Sequence, residues 1–514
     1  MKKTDYPTPE THLFYCDKSN WFDLTTDKEG KQRQDWSKSE DQRKAFWQQV
    51  RAEKMDKGDL DFSHFVFPLF TEDENTFWKQ GTKKEFKKRV NFYQATFLGV
   101  ANFNDVTFGR EANFYESKLS EKVTFNKAHF VKEQSFLKTK FLGDVDFSFA
   151  IFSMRAHYQD LTFEGKSNFI HTAFLDDLSF LNARFKKNTA FLRISVSKST
   201  FFESSVFEDI TSFAFSIFSG ITKFIDLKFL KSSDFQKAIF NDKTDFEDLT
   251  FLGEENHSQF HDTQFLEVVN FFNITFISGS FYRTKFVSRV LFRIIKIKEI
   301  INFNRIIITA QIGFDSCFIE KINFEFCNLS KINFVNCSFK RNIHGRILLL
   351  NDKTATSLDD LSNTYRQLKR SFMESKDWTT AGDAYRSEMV IKRKATWKQI
   401  RKNPRKIINW CIMMLHDALS GYQQSFGRPL FWLATLWVVC PLWLYCLDMG
   451  NLSHSDKLFT ALQTSSNAAL PVVGRIEVDA CYPKGVYFLL LFERIFSVIL
   501  LTFFGLATRA RLRQ

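Results

Sequence analysis

The chain is expected to be mainly β, a coiled solenoid of tandem repeats followed by a helical hairpin and two transmembrane helices. Three observations predict this. Between Phe92 and Phe251 a large apolar residue, nearly always Phe, recurs at alternating spacings of five and six for about fifteen units. Two positions before each rung sits a small or β-branched residue, as at Ala95, Ala101, Val106, Ala112, Val123, Ala128, Thr189 and Thr244. Near the C-terminus, 429–447 and 487–507 are apolar stretches of bilayer-spanning length.

The ladder includes Phe92, Phe97, Phe103, Phe108, Phe125, Phe136, Phe147, Phe169, Phe180, Phe202, Phe224 and Phe246, with Leu119, Tyr158 and Val196 as the replacements for Phe. In a helix, residues five apart lie about 140° around the axis, so these side chains would form two stripes on a long, uncapped rod. In extended backbone, positions two apart share a face. The small residue and the Phe then enter one interior, and the residues between rungs make a corner. The chain must coil.

The run Val90-Asn91-Phe92-Tyr93-Gln94-Ala95-Thr96-Phe97 and its many repetitions resemble the pentapeptide repeat family, in its Phe-rich, alternating form. That resemblance implies a right-handed quadrilateral β-helix with one repeat per side. Here each coil would take about 22 residues, and around eleven coils stacked at about 4.8 Å would span roughly 50 Å. The register shifts by three residues between Phe251 and Phe260, beside Gly253 to Ser258, which reads as a bulge or protruding loop. The ladder ends in strict fives at Phe314, Ile319, Phe324, Leu329, Phe334 and Phe339, as in ordinary 20-residue coils.

A chain of 514 residues with 63 Phe is too large for one compact core but suits a solenoid, 91–342, with flanking modules. Residues 1–90 are expected to cap the first coil, because exposed β-helix ends are sticky edges; binding a partner is the alternative. Their features are Trp21, Trp36 and Trp47, a helix-like stretch from Ser39 to Lys57, and the strand-like Asp61 to Pro68. No secretory signal is read at Met1 to Tyr6, so the repeat is expected in the cytoplasm. Cys317, Cys327 and Cys337 have a ten-residue period that invites a metal site, yet each lies two before a rung and is expected in the inward column as core. In a four-sided coil Cys317 and Cys337 stack within reach of a disulfide, with Cys327 opposite; a reducing cytoplasm argues against that bond.

Residues 351–428 read as a helical hairpin and a basic juxtamembrane helix. Ser357 caps the first helix, whose apolar face is Leu358, Leu361, Tyr365, Leu368 and Phe372. Trp378, Ala381, Tyr385 and Met389 give the second a matching stripe. The pair, from Tyr365-Arg366-Gln367-Leu368-Lys369 to Ala381-Gly382-Asp383-Ala384-Tyr385, also resembles the linker of membrane-tethered pentapeptide repeat proteins. Then Lys392, Arg393, Lys394, Lys398, Arg401, Lys402, Arg405 and Lys406 follow with no acid between Glu388 and Asp417. Beside Ile407, Ile408, Trp410, Ile412 and Leu415 they predict a helix on the anionic inner leaflet of a bilayer. Nucleic acid is the rival partner for a net charge of +13, disfavoured because the basic cluster abuts a span.

Residues 429–514 form the two-span region, with Arg428 and upstream cations at one end and Arg509, Arg511 and Arg513 at the other. The positive-inside rule puts both outer ends in the cytoplasm of a bacterial inner membrane and segment 448–484 outside. There Leu458 to Leu470 precedes Pro471-Val472-Val473-Gly474. A span, a short helix, a Gly-ended turn and a second span resemble the outline of two-helix ion-channel pore domains, although a Thr-Val-Gly-Tyr-Gly-like potassium filter is missing. The preferred reading of the segment is an amphipathic helix resting on the outer leaflet, with the pore outline as the alternative. Pro471, Gly474, Glu493 and Arg494 are the pore candidates. Glu493 and Arg494 lie inside the second span, where ionisable groups face protein or water, unless the pair marks a shortened span's boundary.

No catalytic constellation is read, and neither enzyme activity nor a cofactor or metal is expected. Gyrase binding is not carried over: pentapeptide repeat proteins that mimic DNA are acidic rods, whereas this chain mixes Lys and Arg with Asp and Glu. The expected function is a membrane-anchored scaffold that recruits or senses a protein partner. The alternative is a homo-oligomeric pore gated by the β-helix, a stress or defence effector.

Overall fold

The computed structural model describes residues 13–26, 32–70, 84–253, 258–343, 345–354, 357–446, 453–469 and 486–512. The chain divides into two compact units, Met1–Cys327 with Phe334–Ser338, and Asn328–Asn333 with Phe339–Gln514.

The first unit is a parallel β-solenoid. Short strands recur at the rungs and pair with their counterparts 22 residues on, as Lys118 with Lys140 and Leu119 with Phe141. Three faces are eleven-stranded parallel ladders, and the fourth is split in two. Inside, the rings stack face to face along each column. Phe103 lies 5.0 Å from Phe125, Phe125 4.8 Å from Phe147, and Phe147 5.1 Å from Phe169, close to the roughly 4.8 Å between strands. Rings of neighbouring columns meet edge to face, as Phe114 does with Phe125 at 90°. The ladder residues named above are buried, Phe334 included, except Phe339, which is half-buried.

The alternation of five and six has a physical cause. Corners spanned in five residues are tight turns whose third residue has positive φ, such as Gln94 (52°) and Asp105 (58°). Ala95 N–H donates to Phe92 C=O across the first of them (3.0 Å). The residue before the Phe primes this turn: the Asn91 and Asn113 side chains accept from the backbone N–H two residues on. The other two corners are open bends and take one residue more. There the coils approach so closely that a Cβ on Gly165 would lie 2.4 Å from the backbone of Gly143.

At several inward positions the turn offers a polar residue an acceptor, whereas the buried hydroxyls of Ser117, Ser167 and Thr200 find none. Thr139 donates to Phe114 C=O (2.6 Å), Thr172 to Phe147 C=O (2.8 Å) and Ser216 to Phe191 C=O (2.7 Å). Cys317 and Cys337 repeat this at Phe292 and Phe314. They are core residues, as the spacing predicts, except that Cys337 is only half-buried.

The three-residue shift is absorbed in one coil of 25: Asp234 pairs with Gln259 and Phe235 stacks on Phe260 at 4.8 Å. Residues 254–257 of the expected loop lie outside the described residues. Shorter coils follow, with Ile301 pairing Ile322 and Phe314 stacking on Phe334 at 5.7 Å.

The solenoid starts earlier than the spacing places it. Phe62 stacks on Phe92 (5.2 Å), Phe67 on Phe97 (4.5 Å) and Phe86 on Phe108 (5.4 Å), so Asp61 to Pro68 belongs to the stack. Residues 69–85 interrupt the period in the sequence, which hid this coil. The segment before it covers the end: Phe14 stacks on Phe65 (4.6 Å), and Trp47 of helix α1 (Glu40–Val50) stacks on Phe67 (5.6 Å). Lys18 is buried there with its ammonium 5.0 Å from the Phe46 ring, and burial pushes its pKa down to about 8.

The second unit is helical: α2 (Asn351–Thr354), α3 (Leu358–Glu374), α4 (Trp378–Ile400), α5 (Lys406–Ser420), α6 (Gly427–Cys446), α7 (His454–Ala469) and α8 (Val486–Leu512). Ser357 caps α3 by accepting from Asp360 N–H, and Asp377 caps α4 by accepting from Thr380 N–H. Within this unit α3 lies on the segment 328–333, where Gln367 accepts from Leu329 N–H (2.9 Å) and Ser371 donates to Ile332 C=O. The predicted face of α3 is buried at Leu361, Tyr365, Leu368 and Phe372.

That of α4 is corrected. Trp378 is exposed, Tyr385 and Met389 are half-buried, and the inner face is Ala381, Ala384, Ser387, Glu388 and Ile391. Small residues let α3 and α4 approach, and Glu388 joins them through Arg366 (3.0 Å) and through Lys392 (2.9 Å) on its own helix. Burial is the strongest single influence on the Glu388 carboxyl and pushes its pKa up, but hydrogen bonds and charge from Lys392, Arg366 and Lys369 together hold it below its ordinary value.

Three outcomes are expected. Phe213→Ala, which empties a site stacked between Phe191 and Phe235, costs about 3–5 kcal/mol in urea unfolding. Ile294→Asn stabilises by about 1 kcal/mol, because a β-branched residue at φ 57° is strained where Asn is tolerated; an unchanged or lower midpoint contradicts this. The depressed Glu388 pKa contributes stability that is full above its unfolded value, about 4.3, and is lost as pH falls through the lower folded value. Acid titration of helicity should therefore show a step that Glu388→Gln removes.

Candidate functional site

The residues that invite a functional reading are gathered in the helical unit. Among the described residues no group of His, Cys, Asp or Glu is placed to hold a metal ion.

The basic segment is not one helix. α4 ends at Ile400, the chain turns at Asn403-Pro404, and α5 begins at Lys406, as proline at a helix start favours. Its cations divide into two sets. Lys394, Lys398, Arg401, Lys402 and Arg405 are exposed. Lys392 is held by Glu388, Arg393 is paired with Asp417 (2.7 Å), and Lys406 donates to Gln399, which corrects the expectation that all eight present themselves to a lipid surface. On α5, Ile408, Ile412 and Leu415 form one exposed apolar stripe, with Ile408 63 % exposed. Gly421, with φ 55°, closes α5.

Asp417 is a junction that sequence reasoning missed. It accepts from Arg393 of α4 and from Arg428 of α6 (3.1 Å), with Arg386 of α4 3.8 Å away. Arg428 also donates to the Asp417 backbone carbonyl. One carboxylate thus ties the hairpin to the first apolar helix. The signal was present: Glu388 and Asp417, the two acids bounding the cation run, are the acids those cations use.

α6 and α8 are long and apolar enough to cross a membrane. Their outward residues are large and apolar, with Phe431 65 % and Phe488 73 % exposed. α7 does not lie apart from them, as one of the two readings expected. It packs in the crook between α6 and α8, antiparallel to α6. Near its start Tyr445 of α6 meets His454 (2.8 Å), and Ala461 clusters with Leu444, Val486 and Leu490. Near its end Trp437 donates to Ser466 (3.1 Å). Ala469 lines a cavity of about 380 Å³ with Leu433 and Ala434 of α6 and Ser497 and Leu501 of α8. α7 therefore ends beside the middle of α6, and α8 begins at Val486 beside α6's far end.

Glu493 and Arg494 both face α7. Glu493 is buried, accepts from Ser465, and has its second carboxylate oxygen without a hydrogen bond, as has the hydroxyl of Ser497 one turn on. Arg494 donates to Asn467 C=O (3.2 Å) and Ala468 C=O (3.3 Å), the carbonyls that the last turn of α7 cannot satisfy itself. Adjacent in sequence, the two divide their work by direction, since neighbours on a helix point about 100° apart. Pro471 and Gly474 lie outside the described residues. No known protein family, curated protein or solved structure matches the chain.

Proposed function

We propose that this chain is a non-enzymatic, membrane-anchored β-solenoid of the pentapeptide repeat type. In this reading it works in a bacterial inner membrane, and its helical unit is one subunit of a homo-oligomeric, ion-conducting pore. The observation that carries the reading is the course of α7, a short helix inserted between two apolar helices so that its end stands beside the middle of α6. A 16-residue helix is about 24 Å long, too short to cross the roughly 30 Å hydrocarbon layer. A helix that enters and stops, sheltered by two that cross, is how non-helical backbone is brought to membrane depth against protein or water.

The remaining features fit. The cations before α6 and in the last turns of α8 support a cytoplasmic side for the solenoid and for the end of α8. Exposed Lys394, Arg401, Lys402 and Arg405 with the apolar stripe of α5 suit an anionic leaflet, and the Asp417 junction would pass motion of the hairpin to α6. A non-enzymatic role accords with a repeat whose ordered positions serve stacking and turns. A second reading, a recruiting scaffold with the helices as a plain anchor, is favoured by the regular outer faces of the solenoid.

Full-length protein in liposomes is expected to pass ions, and Glu493→Gln is expected to change that flux severalfold, because Ser465 would lose its charged partner across α7 and α8. A chain truncated after Lys406 should pass none. Tight liposomes containing correctly inserted protein would reject the pore and leave the anchored scaffold.

A further inference from the structure

Several cations on the solenoid surface are paired with an acid on a neighbouring coil, as Lys186 is with Glu164 (2.8 Å), Lys198 with Asp176 (2.9 Å) and Arg155 with Asp177 (3.4 Å). One corner departs from this. Its successive positive-φ residues are Lys127, Phe149, His171, Arg193, Phe215 and Lys237, six coils without an acid and about 24 Å long at the strand spacing. None of the salt bridges among the described residues involves Lys127, Arg193 or Lys237. Their contacts are aromatic: Arg193 lies 5.4 Å and Lys237 5.1 Å from the Phe215 ring, and Phe149 stacks on His171 at 5.0 Å.

The strip beside this corner is also free of acids. Two residues after each corner stand His129, Ile151, Ala173, Ser195, Ile217 and Ile239. Phe149, Ile151, Phe215 and Ile217 are all more than a third exposed, in two matching pairs three coils apart. Asp146 and Asp234 border the band from the neighbouring face, each held by the backbone N–H two residues on.

We propose that this band docks an acidic peptide segment bearing apolar side chains, contributed by a protein partner. Fixed cations among exposed aromatic and aliphatic side chains are the composition of binding hot spots, and the missing acids leave a positive field for the partner to complement. Nucleic acid fits less well. Three permanent cations could meet only about three phosphates, an affinity lost at physiological salt, and Ile151 and Ile217 would have nothing to bury against. The proposal rests on the solenoid being the partner-binding arm. It is independent of conduction, so its failure and that of the pore reading are seen in different assays.

The test uses the full chain in nanodiscs of zwitterionic lipid. A short fluorescein-labelled peptide of Glu-Leu-Glu-Phe repeats is titrated by anisotropy, beside a labelled oligothymidylate and the peptide with Lys in place of Glu. Saturable binding of the acidic peptide is expected, weakened about tenfold or more by Arg193→Glu with Lys237→Glu and by Phe215→Ser, and unchanged by Lys140→Glu on another face, where Lys140 is likewise exposed. Thermal melting checks each variant, and Arg193→Gln with Lys237→Gln replaces the reversed pair if that pair melts early. No saturable binding, equal loss with Lys140→Glu, or preference for the oligonucleotide overturns the proposal.

Discussion

The face-to-face stacking of inward Phe rings at the strand spacing is the constraint on which the first unit depends. A ring is about as thick as the gap between hydrogen-bonded strands allows, so identical residues placed one coil apart fill the interior without voids. Along most of the solenoid a coil of 22 residues brings the columns of rings and of small residues back into register. The turns follow from it. A corner closed in five residues needs one residue at positive φ, and the chain accepts Lys, Glu, Phe and even Ile there. Backbone strain at one residue per turn is offset by burial of a whole ring. The same logic explains the irregular coils: three extra residues are tolerated before Phe260 because they leave the ring of Phe260 on that of Phe235.

The helical unit obeys a different constraint. α6 and α8 are apolar outside, and α8 turns its polar groups towards α7. Glu493, Arg494, Ser465 and Ser497 would be costly against lipid; turned towards α7 they become the means by which α7 is held. Arg494 supplies donors where the last turn of α7 has orphan carbonyls, and Glu493 takes the hydroxyl of Ser465. Asp417 does the corresponding work outside the apolar helices, collecting arginines from α4 and α6. Both clusters join segments far apart in sequence. A substitution at either should therefore be felt across the unit rather than locally.

Much of this was legible in the sequence because a repeat states its rule many times. The Phe columns, the small columns with Cys317 and Cys327 among them, the caps at Ser357 and the bounds of the two apolar helices all depend on periodicity or on neighbours within a few residues. Reading failed where the rule was stated once. The first coil at Phe62 and Phe67 was hidden by the interruption after it. The inner face of α4 was misplaced because Trp378, Tyr385 and Met389 look more apolar than Ala381, Ala384 and Ser387, yet close helix packing selects small residues. Lys392 and Arg393 were counted with the free cations because their acids, Glu388 and Asp417, were read only as the ends of a run.

By itself, then, the sequence determined that the chain coils, which residues fill the coil, where its corners fall, and which two segments are apolar enough to cross a bilayer. These are consequences of side-chain size and spacing along a continuous backbone. Only the tertiary structure decided that α7 lies between α6 and α8, that Glu493 and Arg494 address it from different sides of one helix, that one aspartate gathers the hairpin and the first apolar helix, and that one corner of the solenoid is left basic and aromatic. Those arrangements arise from groups brought together across many residues or many coils, and no local period records which of the available partners each side chain meets.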